Sequence, residues 1–435
     1  MARRFSVLVA LAATVAEPVL AEGAGFEALR GHGGPVMGAD VVPDGSAALT
    51  ASFDNSVGFW ELDTGEVRWL EGHAAAVKAV AYVPGGRAVS GGDDFTLRLW
   101  DIRTGESRRL EGHTAQVKAV AVSAEAGLIA SASWDRTIGL WNAETGALLA
   151  RLEGHDGPVN DVAFAGGGTT LYSASADGTI RLWDVETRAE RRTVVRHGFG
   201  TTELLVDDAA GWLAYGATDG GTRVVDLATG AVLADLTLER RPILAMAAAP
   251  GGGEFAVGDG EGFVMVVRTG DWRIVHDYRA TAKGPVWALA YSADGARLLM
   301  GGIEDTAYFW PVGASEIGPV MTATDRAFLR PPGEMSNGER QFQRKCSICH
   351  SLEPDGARKA GPTLHGVFGR RAGALSGYTY SDTLDGSEIV WDEGTIDRLF
   401  DLGPDHYIPG SKMPMQRIVK PEDRRDLIDW LKQNT

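Results

Sequence analysis

Residues 72–101 read GHAAAVKAVAYVPGGRAVSGGDDFTLRLWD. Gly72-His73 opens the stretch and Trp100-Asp101 closes it, with an acid, Asp94, six residues before the tryptophan. Between these marks, Val77-Lys78-Ala79-Val80-Ala81-Tyr82 alternates as a half-buried strand does, and Pro84-Gly85-Gly86 signals a turn. Thr179-Ile180-Arg181-Leu182-Trp183 is a second such run, and Asp294-Gly295 a second such turn. The whole stretch recurs. Its closing position falls at Trp60, Trp100, Trp141, Trp183, Val225, Val267 and Trp310, with spacings of 40, 41, 42, 42, 42 and 43 residues. Its opening falls at Gly31-His32, Gly72-His73, Gly112-His113, Gly154-His155 and Arg196-His197. Two further openings, near Arg241 and Gly284, lack the histidine. The acid is Asp54, Asp94, Asp135, Asp177, Asp219, Glu261 or Glu304 in turn.

A period of 40–45 residues with G-H and W-D marks predicts a propeller of four-stranded blades. Residues 26–312 resemble the WD-repeat β-propeller family, with seven repeats. The resemblance implies that the repeat-start histidine bonds the acid, and that a strand Ser or Thr and the Trp indole extend the network. His73, Asp94 and Trp100 would form one satisfied buried cluster. His113, Asp135 and Trp141 would form another, and His155, Asp177 and Trp183 a third. Residues 26–30 would supply the outer strand of the last blade and remove the free edges of the ring.

Six histidines lie in this region, at 32, 73, 113, 155, 197 and 276, and five hold the repeat-start position. Only His276 is left over, short of the two or more His or Cys that a second metal centre wants. The glycine clusters at 166–168 and 251–253 fall where hairpin turns belong and no helix follows them, so they do not read as phosphate loops. The region reads as a binding platform.

The chain has 435 residues, 44% hydrophobic, with a net charge of −16, which argues against nucleic acid and anionic membrane surfaces as partners. Arg3-Arg4, the apolar run Phe5 to Val15 and Val19-Leu20-Ala21 predict a signal peptide over residues 1–21, with cleavage after Ala16 as the alternative. Export to the periplasm is expected. No later apolar run is long enough to span a bilayer.

After residue 312 the repeat stops, and residues 313–333, ending in Pro331-Pro332-Gly333, read as a linker. Residues 334–435 change to a helical period. Ser336 is a candidate cap for a helix over 337–345, and Pro421 opens an amphipathic helix with Leu427, Ile428, Trp430 and Leu431 as its apolar stripe. The first helix leads into Cys346-Ser347-Ile348-Cys349-His350, which holds both cysteines of the chain. C-x-x-C-H reads as a c-type haem attachment site. A thioredoxin-like redox pair and half of a zinc site are the competing readings, though zinc would want further ligands and no other cysteine exists.

More follows in order: Gly361-Pro362 eleven residues after His350, then Arg370-Arg371, Gly377-Tyr378-Thr379-Tyr380, Trp391, and Tyr407-Ile408-Pro409-Gly410-Ser411-Lys412-Met413. Together these resemble class I cytochrome c, over residues 335–433. The resemblance implies one haem c, joined through Cys346 and Cys349, with His350 and Met413 as axial ligands. It implies that the Pro362 carbonyl fixes the His350 ring, that Arg370, Tyr380 and Trp391 hold the propionates, and that Gly338 and Phe342 pack on Leu427 and Trp430. Phe400 departs from the family's frequent tyrosine, one extra residue lies between Trp391 and Met413, and Met415 is a rival to Met413. His365 and His406 read as loop or surface residues.

The fold expected is therefore multidomain: an all-β seven-bladed WD-repeat propeller at 22–312, then an all-α class I cytochrome c domain. The function expected is single-electron transfer, as a carrier rather than a catalyst. An oxidoreductase with a second cofactor in the propeller, and a haem-based redox sensor, are the alternatives. Residues 334–435 carry 14 Lys and Arg against 16 Asp and Glu, while the residues before them carry 28 against 42. The acid excess thus sits in the propeller segment, where a redox protein partner would be steered.

Overall fold

The computed structural model describes residues 27–313 and 332–435, apart from 239, 241, 282, 283, 355–357, 382 and 414. The signal peptide, Phe26, the repeat opening at Arg241 and nearly all of the linker lie outside the described residues.

Seven antiparallel sheets of four strands follow one another from Glu27 to Pro311. The expected runs are strands: Val77–Val83 and Thr179–Asp184. Pro84-Gly85-Gly86 turns the chain into Arg87–Gly92, with both glycines at positive φ. The ring closes as the repeat predicts. Glu27–Arg30 pairs with Thr306–Pro311 of the last blade, in the register Glu27↔Phe309 to Arg30↔Thr306. First and last blades also pack closely: a Cβ on Gly301 would lie 2.6 Å from Val36, so a larger residue there would push the two sheets apart.

The three expected clusters are present. His73 contacts Asp94 (2.9 Å) and Ser90 (2.7 Å), and Trp100 Nε1 donates to the same Ser90 oxygen at 2.8 Å. His113 with Asp135, Ser131 and Trp141, and His155 with Asp177, Ser173 and Trp183, repeat the arrangement. A fourth joins His32, Asp54, Thr50 and Trp60. A carboxylate only accepts, so the histidine Nδ1 carries the proton and Nε2 accepts from the Ser or Thr hydroxyl. Burial pushes each carboxyl up. The histidine and the hydroxyl and N–H groups of the turn more than offset this, and hold Asp54, Asp94 and Asp135 well below the ordinary carboxylate range. Trp100, Trp141 and Trp183 are almost fully buried in the seams between neighbouring blades. Such a side chain is worth on the order of 3–5 kcal/mol against alanine.

The pattern drifts after the fourth blade. In the fifth, His197 keeps Asp219 but contacts the Tyr215 hydroxyl in place of Ser or Thr. In the sixth, Glu261 is exposed, and the buried acid is Asp259, two residues earlier. Asp259 accepts from the N–H groups of Glu261 and Phe263 and faces the Arg240 guanidinium at 3.6 Å. With the repeat-start histidine gone, an arginine takes the acid from another direction.

The C-terminal part is helical: α1, Asn337–Lys345; α2, Glu393–Leu402; the single turn α3, Pro404–Tyr407; and α4, Pro421–Asn434. Ser336 caps α1 by accepting from the Glu339 N–H. Asp392 and Thr395 cap α2 reciprocally. α1 crosses α4 in close contact. Phe342 lies on Trp430 with ring centroids 4.8 Å apart, and a Cβ on Gly338 would come 2.1 Å from the Asp426 carbonyl oxygen. Gly338 and Phe342 thus meet the α4 face expected for them.

Candidate functional site

The end of α1 sets the first wall of the site. The Cys346 and Ser347 N–H groups both donate to the Phe342 carbonyl, and the His350 N–H donates to Cys346 at 2.8 Å. This winds Cys346, Cys349 and His350 into one tight turn. Both cysteines are buried and neither is in a disulfide. Burial pushes their thiols up to about 12 and about 11. A reactive redox dithiol needs a lowered pKa, so this environment does not suit the thioredoxin-like reading.

His350 donates its Nδ1–H to the Pro362 carbonyl at 2.7 Å. The ring lies against Gly361, where a Cβ would come within 2.4 Å of Cε1. Glycine is needed there for the close approach, and the Gly361 N–H is itself tied to the Cys349 carbonyl at 2.7 Å.

The Gly369 and Trp391 N–H groups bond the carbonyls of Trp391 and Arg370 in turn, which sets Arg370 and Trp391 side by side. Arg370 donates to the Thr363 and His365 carbonyls, using two of its five N–H groups. Tyr378 donates to the Ala360 carbonyl at 2.5 Å and meets the Tyr380 ring edge-on at 4.8 Å. Gly410 at positive φ turns the chain after Ile408, and the Lys412 ammonium donates to the Thr379 carbonyl. Met413 follows that anchor.

Cys346, Cys349, His350, Pro362, Arg370, Tyr380, Trp391 and Met413 all line one cavity of about 1150 Å³. Leu364, Val367, Leu399, Phe400 and Ile408 give it apolar walls. Met415 also borders it but is 46% exposed, with its sulfur against Gly403. His365 and His406 are exposed and do not line it. Among the described residues, no group of three or more His, Cys, Asp or Glu is placed to hold a metal ion. The donors fit a haem c: two buried thiols in one turn, an imidazole with a fixed tautomer, a thioether and an arginine, all lining one cavity.

Residues 335–435 match the family model described as Cytochrome c. Cytochrome c of Ginkgo biloba is 42% identical over 105 residues, 92% of its own length and 24% of this chain. That of Gossypium barbadense is 43% identical over 106 residues, covering 94% of it and 24% of this chain. That of Gibberella zeae is 40% identical over 103 residues, 96% of it and again 24% here. The chain belongs to the cytochrome c family. Its cytochrome domain spans nearly the whole of those relatives, and the propeller is additional to them. Residues 26–61, 65–101, 105–142 and 146–184 match the model described as WD domain, G-beta repeat. These are the four repeats with complete histidine–acid–tryptophan networks; the three drifted blades fall outside the match.

The cavity has one wall that no motif in the cytochrome domain foretold. Phe53, Asn55, Ala75, Phe95 and Gln116 of the propeller border it together with His350 and Met413.

Proposed function

We propose that this chain is a periplasmic monohaem electron carrier, with Cys346 and Cys349 as the attachment thiols and His350 and Met413 as the iron ligands. When bound, the haem would supply a one-electron ferric–ferrous couple with both axial positions filled. The protein's own contribution is positional. Pro362 and Gly361 hold the His350 ring, Lys412 anchors the loop that presents Met413, and Leu364, Val367, Leu399 and Phe400 give the cavity apolar sides. Arg370, Tyr380 and Trp391 would receive the propionates, with Arg370 offering the N–H groups not used on backbone carbonyls. The acidic propeller would act as the platform that steers a redox protein.

The observation that carries this reading is the convergence of all eight residues on one cavity, in a domain that aligns with cytochrome c over nearly its full length. Iron analysis with a haem stain on the denatured chain tests it. One iron and one covalent haem per chain support it. A second metal or a non-haem cofactor in the propeller would instead support an oxidoreductase. Periplasmic placement is tested by fractionation and by the N-terminal residue of the secreted chain.

A further inference from the structure

The cytochrome domain touches the propeller through Arg358. Its Nε donates to Asp54 at 3.3 Å, its Nη1 meets Glu71 at 2.5 Å, and its guanidinium lies over the Trp69 ring at 4.6 Å. Trp69 in turn packs edge-on against His32 at 4.8 Å. The contact therefore ends on the histidine network of the first blade. The Asp54 side chain is wholly buried, while Asp94, Asp135 and Asp177 keep 9%, 4% and 9% of theirs open. Asp135 and Asp177 also meet an arginine, Arg151 and Arg181, but from their own blades, whereas the arginine on Asp54 comes from the cytochrome domain.

A second observation is independent of charge. A Cβ on Gly33 would lie 1.7 Å from the Arg358 carbonyl oxygen, so the two backbones are in direct contact. The φ of Gly33 is not positive, so the turn itself does not require glycine. The other complete networks have Ala74, Thr114 and Asp156 after the histidine. Space for the cytochrome domain is what the structure asks of this position.

We propose that the rim of the first three blades is a built dock for the chain's own cytochrome domain. Arg358 is its pin and Gly33 its seat. Docking sets Phe53, Asn55 and Phe95 across the cavity that His350 and Met413 border, so a bulky redox protein reaches that side only by displacing the joint. This goes beyond the electron-carrier reading and rests on contacts that hold whatever the haem does.

The test uses the full-length holoprotein with Arg358→Ala, Arg358→Lys and Gly33→Val, read by hydrogen exchange and small-angle scattering. Amides of residues 53–55, 74–76 and 93–95 are expected to exchange at least about tenfold faster in Arg358→Ala and Gly33→Val, with a larger radius of gyration. Arg358→Lys, which keeps the charge but loses the planar fork, falls between. The ratio of haem reduction by a protein-sized reductant to reduction by ascorbate rises in step. Wild-type exchange and scattering in Arg358→Ala would overturn the proposal, and that variant leaves the propeller sequence intact. The haem count is unaffected by either result, so failure of the dock and failure of the carrier reading are told apart.

Discussion

The Nδ1–H of His350 donates to the Pro362 carbonyl at 2.7 Å, which leaves Nε2 as the nitrogen with a lone pair. The ring has little room to turn, because Gly361 lies flat against it. Gly361→Ala would drive a methyl group into Cε1. We expect a loss of about 1–3 kcal/mol in stability and a rotated imidazole plane. Thermal unfolding and electron paramagnetic resonance of the ferric protein check both; an unchanged spectrum would count against this packing.

The sixth position is a choice between two thioethers. Met413 sits behind the Lys412–Thr379 anchor and lines the cavity, while Met415 is half exposed against Gly403. Met413→Ala is expected to make the ferrous protein bind carbon monoxide and to lower its potential. Met415→Ala is expected to do neither. The reverse pattern in a carbon monoxide titration would exchange the two roles.

Propeller stability should pass through a maximum in mildly acidic solution. Asp54, Asp94 and Asp135 have depressed pKa values in the fold, and Asp177 is lowered to about 2. Their contribution is present above the unfolded value of about 4 and is lost as pH falls through the folded values. Burial acts the other way on the inner strands. It raises Asp40 to about 6 and pushes Asp161 and Glu203 up as well. These three groups favour the fold at lower pH and outnumber His155, whose pKa burial lowers and which favours the fold at higher pH, so stability declines as pH rises from about 4 through 6. Melting temperatures of the full chain between pH 3 and 8 should peak near pH 4–5. A monotonic rise across that range would contradict the burial of Asp40.

The helix crossing offers a test of packing alone. Gly338→Ala places a Cβ against the Asp426 carbonyl and strains the contact of Phe342 with Trp430. A cost of roughly 1–3 kcal/mol is expected, since overpacking at a tight crossing is not relieved by rotamer changes. Denaturant unfolding of the holoprotein measures it. Asn337→Ala, which removes hydrogen bonds to Asp423 and Asp426 near the surface, should cost less, about 0.5–1.5 kcal/mol.

The sequence showed most of this wherever a structural demand repeats or falls at a fixed local spacing. Each complete blade needs a histidine, an acid and an indole at set distances, so the family pattern carried three networks, and the fourth, at His32, keeps the same spacing. The demand relaxes where the histidine is lost. In the sixth blade the buried acid became Asp259, held by Arg240, while spacing alone pointed to Glu261. In the cytochrome domain the turn from Cys346 to His350 and the Gly361–Pro362 pair are local, and the family pattern carried Met413 and Arg370. α2 has no such motif, although its Asp392–Thr395 cap was there to be read. The joint between domains left no trace. Arg358 and Asp54 lie 304 residues apart, neither belongs to a period shared by the other, and Gly33 passes for an ordinary turn glycine until its neighbour is seen.

The most direct measurement is a redox titration of the purified full chain, with haem and metal content determined on the same sample. One covalent haem, one iron, a single reversible one-electron step, and no carbon monoxide binding until Met413 is replaced are the expected result. A second metal, or ready carbon monoxide binding by the unaltered protein, would contradict it.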